Sequence, residues 1–231
     1  MLKENLETVR EQVKEACERA GRDAGKVTVL AVSKTKPNAD IEELYAAGQR
    51  DFGENYVQEL KEKHETLPKD IRWHMIGHLQ RNKVKYIAPF VYMIHSVDSV
   101  SLADTIEKEA AKNNRSIPVL IEVNAAHEDT KFGVTPDELP ALAAHIESLP
   151  HVELAGLMTS APYTEHPEEN RQYFRMLAEL AVDMNLQSVN NEKGPVLSMG
   201  MSNDYIVAAE EGSTCVRVGT SIFGARDYSK S

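Results

Sequence analysis

The stretch that decides the fold is VTVLAVSKTKP (27–37), an apolar, β-branched run that ends abruptly in Ser33-Lys34-Thr35-Lys36-Pro37. Such a run, apolar on both faces, suits a parallel strand covered by helices. Upstream, Leu2, Leu6, Val9, Val13 and Cys17 recur at spacings of three and four, predicting an amphipathic helix that ends near Gly21. Downstream the same unit repeats. Strands are predicted at 50–52, 72–76, 91–97, 118–124, 152–158, 195–199 and 214–219, with helical patterns such as 41–48, 101–113 and 169–184 between them. Eight strand–helix units in 231 residues give a single (β/α)8 TIM-type barrel with an extra N-terminal helix, taken as one domain over 1–231. The short second run, RDF (50–52), leaves an open doubly wound sheet as the alternative.

The net charge of −10 argues against a nucleic-acid partner or an anionic membrane, because backbone phosphates need clustered Lys and Arg. A phosphate ligand must then be caught locally, by backbone N–H groups and a nearby cation. The charged N-terminus lacks the apolar core of an export signal, and no apolar run approaches the ~20 residues that span a bilayer. Cys17 and Cys215 are far apart without metal-type spacing, so they read as two reduced thiols of a cytosolic protein.

In such a barrel the loops at the C-terminal strand ends build the active face. That rule gathers Lys34, Asn55, His78, Asn124 and Lys131, Ser198 to Asn203, and Arg217 to Thr220 on one rim. Lys34 closes an apolar strand, where desolvation lowers an ammonium pKa, and only the neutral amine attacks an aldehyde. Lys36, two residues on, falls on the same side if the chain stays extended. Gly200-Met201-Ser202-Asn203-Asp204 after strand 7 and Gly219-Thr220-Ser221 after strand 8 offer hydroxyls and bare N–H groups to an oxyanion, with Ser202, Asn203 or Asp204 capping a helix that runs through Ala209. Arg217 lies between Val216 and Val218, and a buried arginine needs a partner. Beside a pyridine nitrogen it would keep the ring unprotonated; the structural reading is an ion pair with an acid. His74 and His78 are four apart, but Gly77 breaks the strand between them, so no shared metal is expected.

The stretches AVSKTKP (31–37), FGENYVQE (52–59), HMIGHLQRNK (74–83), TKFGV (130–134), LSMGMSNDY (197–205) and GSTCVRVGTSIFGAR (212–226) resemble, in order, the pyridoxal phosphate homeostasis proteins, single-domain relatives of the alanine racemase barrel. The resemblance implies a cytoplasmic protein that holds pyridoxal 5′-phosphate as a Schiff base on Lys34. It also implies Arg217 opposite the pyridine nitrogen and the phosphate near Ser202, Gly219 and Thr220, with Asn55, His78, Ser198 and Met201 as further contacts. Lys36 and Lys131 are motif lysines that could receive or pass on the cofactor. Alanine racemases add a second domain carrying a tyrosine base, and only five residues, Asp227 to Ser231, follow the last motif here. Racemisation needs a second positioned acid/base group, for which Tyr56 and Tyr163 are the loop candidates. The expectation is therefore a monomeric carrier or buffer, handing its cofactor to apo-enzymes, with no catalytic residue and no metal assigned. A low-efficiency amino-acid racemase is the alternative, and a Schiff-base enzyme acting on a phosphorylated metabolite is a third reading.

Overall fold

The computed structural model describes residues 1–128, 131–186 and 194–225; Thr130 and Arg226 of the quoted motifs lie outside them. Eight strands follow in chain order: β1 (Thr28–Val32), β2 (Asp51–Glu54), β3 (Arg72–Met75), β4 (Met93–Val97), β5 (Ile117–Glu122), β6 (Val152–Met158), β7 (Val196–Met201) and β8 (Cys215–Val218). All neighbours pair in parallel, and β8 returns to β1, with Leu30 opposite Arg217 and Ala31 opposite Val218. That closure excludes the open sheet. β2 reaches Glu54, beyond the predicted 50–52, because four consecutive residues pair with β3 where its own apolar pattern is thin.

Around the barrel lie α1 (Leu2–Arg19), α2 (Asn38–Ala46), α3 (Val57–Thr66), α4 (Val84–Ile87), α5 (Val100–Lys112), α6 (Leu139–Glu147), α7 (Arg171–Asp183), α8 (Tyr205–Glu210) and α9 (Thr220–Phe223). α1 buries the predicted stripe, Leu6, Val9, Val13 and Cys17, with Ala16 beside it. α7 starts at Arg171 because the residues before it, Pro167–Asn170, form a 3-10 turn. Asp204 stands at the N-cap of α8, as one of the three predicted candidates.

Strand alternation divides the buried residues in two. Ala31, Phe52, Trp73, Met75, Ile94 and Val216 point outward and merge with the helix stripes into one large core. Met93, Leu120, Ala155 and Met158 form a separate small cluster. Asp51, His74, His95, Ser198 and Arg217 hold the inward parity of their strands, and the last four are buried. The barrel interior therefore holds an apolar cluster from β4, β5 and β6 and a row of polar side chains that crosses it from β2 to β8.

Candidate functional site at the C-terminal mouth

Leu30 of β1 points inward, where a side chain at Gly53 would meet it at 3.1 Å, and Lys34 follows two residues after the strand ends. Both of its neighbours are clamped. Ser33 donates to Glu54 Oε1 at 2.5 Å, and the Thr35 N–H donates to Glu59 Oε1 at 2.6 Å. Buried Lys63 of α3 ties the two acids together, donating to Glu54 (2.7 Å), Glu59 (2.6 Å) and the Ser33 carbonyl (2.7 Å). Burial pushes the Glu54 carboxyl up to about 7, against the pull of Lys63. Thr35 itself sits at φ 64, a left-handed conformation that β-branched residues avoid. That turn ends the extended geometry. Lys36 is thereby separated from Lys34, and its ammonium faces the carbonyls of Phe223, Gly224 and Ala225 at 3.4–3.5 Å. The expectation that Lys36 shares the side of Lys34 is corrected by this turn.

Arg217, 4% exposed, is held by neutral acceptors rather than by a bonded acid. Its Nη1 donates to the Ser198 carbonyl (2.7 Å) and Oγ (2.8 Å), and its Nη2 to the Thr159 carbonyl (2.9 Å) and Ser160 Oγ (3.2 Å). A guanidinium has five N–H donors, so the one on Nε is left without a protein acceptor among the described residues. Ser198 is fully buried beneath Arg217, with its hydroxyl committed to that residue and to His95.

After β7 and β8 a second donor group converges. Ser202 Oγ accepts from the backbone N–H of Gly219 (3.1 Å) and of Ser221 (3.3 Å), and Ser221 Oγ donates to the Ser202 carbonyl (3.3 Å). Asp204 fixes the loop beneath, accepting from Met201 N (2.7 Å) and from Asn170 Nδ2 (2.8 Å). Met201 and Thr220 are exposed beside it.

Across the mouth, the Asn55 side-chain oxygen is buried with no hydrogen-bond partner. Gly77 is required there, because a Cβ would come within 2.4 Å of the Asn55 carbonyl. His78 stacks on Phe132 at 3.9 Å, with Nδ1 3.8 Å from Asp98, whereas His74 lies inside the barrel bonded to Asp51 and His95; the two histidines do not meet. A cavity of about 210 Å³ opens between Glu122, Asn124, Lys131, Phe132 and Ser160. Lys131 is paired with Glu128 at 2.5 Å and donates to the Ser160 carbonyl at 3.2 Å. Burial raises the Glu122 carboxyl to about 7, with Arg217 and Lys131 pulling it down and Asp98 adding to the rise.

Glu122, Thr159 and Ser160, and the Glu54–Lys63–Glu59 clamp, are candidate site residues that the sequence reading missed. Thr159 and Ser160 obey the same strand-end rule that found the others, applied one strand over. Cys17 and Cys215 are both buried free thiols.

The family described as alanine racemase, N-terminal domain, matches residues 5–227, and the pyridoxal phosphate homeostasis protein of Aquifex aeolicus is 50% identical over 226 residues, covering 97% of this chain and 98% of that protein. The chain belongs to the pyridoxal phosphate homeostasis family of alanine racemase-like barrels. Within that family, the Pseudomonas aeruginosa protein is 42% identical over 97% of this chain and 96% of its own. PipY of Synechococcus elongatus, solved with pyridoxal phosphate bound, is 35% identical and superposes with a TM-score of 0.82 over 97% of this chain and 100% of that one. Alanine racemase from Corynebacterium glutamicum, at 16% identity and a TM-score of 0.65, shares the fold; this chain covers 63% of it. Among the described residues, no helix is long and apolar enough to cross a membrane.

Proposed function

We propose that this chain holds pyridoxal 5′-phosphate at the C-terminal mouth of the barrel, linked as a Schiff base to Lys34, and serves cofactor homeostasis as a carrier. The observation that carries the reading is PipY, a full-length relative solved with that cofactor bound. The donor set here fits the same molecule. The unspent Nε–H of Arg217 suits an unprotonated pyridine nitrogen, and the orphaned Asn55 oxygen suits a ring substituent that can donate. Ser202 and Thr220 supply hydroxyls for a phosphate, and the Gly219 and Ser221 N–H groups, which donate to Ser202 Oγ, can turn to it when it binds. His78 and Met201 border the mouth. In this assignment Ser198 supports Arg217 from behind.

When bound, the cofactor supplies an aldehyde and an electron-withdrawing ring. The protein's own part is to hold Lys34 between two anchored residues, to keep Arg217 as a donor, and to satisfy the phosphate. A carrier role is favoured over racemisation by the state of the two candidate tyrosines. Tyr56 and Tyr163 are 60% and 84% exposed, unlike a proton donor held over a substrate. A monomer in the cytoplasm that delivers to apo-enzymes completes the reading; sedimentation with and without cofactor tests the first part, transfer to a purified apo-enzyme the last.

Titrating the apo-protein with pyridoxal phosphate, trapping with borohydride and mapping the modified peptide is the direct test. Label on Lys34, lost in Lys34→Ala, is the expected result; label elsewhere would sink the assignment. Chiral analysis of an amino-acid panel then separates carrier from racemase, and sustained turnover would overturn the carrier role.

A further inference from the structure

The polar side of the barrel interior contains more than the cofactor reading uses. From Arg217 the hydrogen bonds continue without a break toward the opposite face. Ser198 Oγ lies 2.8 Å from His95 Nδ1, His95 Nε2 lies 2.9 Å from His74 Nδ1, and His74 Nε2 lies 3.1 Å from Asp51 Oδ1. Asp51 is gripped by Arg72, which donates from Nε at 2.8 Å and from Nη2 at 2.5 Å. Six side chains from five strands thus connect the N-terminal face, where the Arg72 side chain is 43% exposed, to the mouth. His95 and Ser198 are fully buried, and His74 and Arg217 are each 4% exposed. The two imidazoles meet edge-on at 5.1 Å, and Tyr92 covers His74 at 5.2 Å.

The two ends, with one proton on each ring, set the direction of every proton. A guanidinium only donates, so Ser198 Oγ accepts from Arg217. An ionised carboxylate only accepts, so His74 Nε2 carries a hydrogen toward Asp51. Burial would raise the Asp51 carboxyl, but the hydrogen bonds from His74 and Arg72 outweigh it and hold it ionised, well below the usual carboxylate range. With one proton per ring, His95 Nε2–H then donates to His74 Nδ1, and the Ser198 hydroxyl donates to His95 Nδ1. The reverse order would require His74 to carry both protons. It would also leave the Ser198 hydroxyl to find another acceptor, and its other polar neighbour, the Cys215 thiol, is a weak one.

We propose that Ser198, His95, His74 and Asp51 form a one-way donor relay that orients Arg217 from a carboxylate on the far side of the barrel. Each link strengthens the next, since a hydroxyl that donates is a better acceptor. Arg217 thereby keeps a fixed orientation while its own bonds go to neutral atoms and the carboxylates that act on it, Glu122 and Asp204, make none, so its Nε–H is left for the mouth. The four are positioning residues. Their role toward the cofactor rests on the reading above; the proton pattern does not.

The first test therefore uses the apo-protein. Nitrogen-15 spectra of ring-labelled histidines at neutral pH should show His74 and His95 both as neutral, Nε2-protonated tautomers. A doubly protonated His74, or an Nδ1-protonated ring at either position, overturns the relay. In the same sample, solvent exchange of the Arg217 Nη protons should accelerate about tenfold in Asp51→Asn, as expected for weakening a charge-assisted bond that Asp51 itself does not make to Arg217. Unchanged exchange would mean that the chain transmits nothing.

The second test uses the protein loaded with pyridoxal phosphate. His95→Phe should shift the absorption band of the bound cofactor, and His95→Gln, which can accept from Ser198 and donate to His74, should restore it in part. Equal shifts in both variants would reduce His95 to a filler of space. Failure of the wild type to label at Lys34 would instead sink the cofactor reading and leave the apo-protein spectra to decide the relay.

Discussion

The outer face of the barrel and its interior are built from the same eight strands by opposite means. Outward, Phe52, Trp73, Met75, Ile94 and Val216 interlock with helix stripes, an arrangement without direction that many apolar residues could satisfy. Inward, Asp51, His74, His95, Ser198 and Arg217 are joined atom to atom, and each accepts few replacements. The outer layer carries the bulk of the stability, and the inner one the specificity of the mouth.

The sharpest way to break this contrast is to exchange the consequences. Trp73→Ala should cost about 3–5 kcal/mol in urea denaturation, the price of a large cavity, yet leave pyridoxal phosphate affinity per folded molecule within about twofold. Arg217→Leu should do the reverse. Removing a buried charge but orphaning its acceptors should cost about 1–3 kcal/mol, while titration shows cofactor affinity down by about tenfold or more. If the outer variant were the one that lost the cofactor, the division would be wrong.

Titration distinguishes the regions as well. Glu54 and Glu122 have folded-state pKa values raised to about 7, above their unfolded values, so their contribution is full below about pH 4.5 and is lost as pH rises toward 7 and beyond. Asp51 is shifted downward and works oppositely, losing its contribution as the solution is acidified below the ordinary carboxylate range. Apo-protein stability should therefore peak in mildly acidic solution. Glu54→Gln and Glu122→Gln should each flatten the alkaline decline by about 1–2 kcal/mol in pH-dependent melts. The smallest expected effect is at Thr35. Thr35→Gly should relieve its left-handed strain and stabilise by up to about 1 kcal/mol, with calorimetry as the check, while loosening the backbone next to Lys34.

Much of this was legible in the residues. Seven of the eight strands showed as apolar runs because their outward faces must be covered, β2 being the thin one, and the rim rule then brought Lys34, Asn55, His78, Ser202 and Gly219 to one end. Arg217 stood out as a charge inside a strand, and His74 and Ser198 carried the same mark, one polar residue between apolar neighbours, whereas His95 is followed by Ser96 and did not. Their mutual pairing was not legible, since it joins positions 21 and 103 residues apart across a closed barrel. Lys36 misled for a local reason, because the turn at Thr35 breaks a rule that glycine usually breaks. The clamp on Lys34 was hidden too: Glu59 and Lys63 read as an ordinary charged helix face, and Glu54 as an acid at a strand end, until α3 brings them together beside β1.

The seam between β1 and β8 bears on how the protein comes to exist. α1 packs on α8 and α9 as well as on α2, and Asn5 donates to the Ile222 carbonyl at 2.9 Å, so much of the seat of α1 forms only when the C-terminal helices are made. Contacts that far apart in sequence slow folding. Until β7 and β8 arrive, His95 lacks Ser198 and the interior histidines face an open sheet. Closure of the barrel and completion of the relay are therefore late and simultaneous events. A nascent chain stalled before residue 198 would expose a polar interior with no partner, a natural foothold for chaperones.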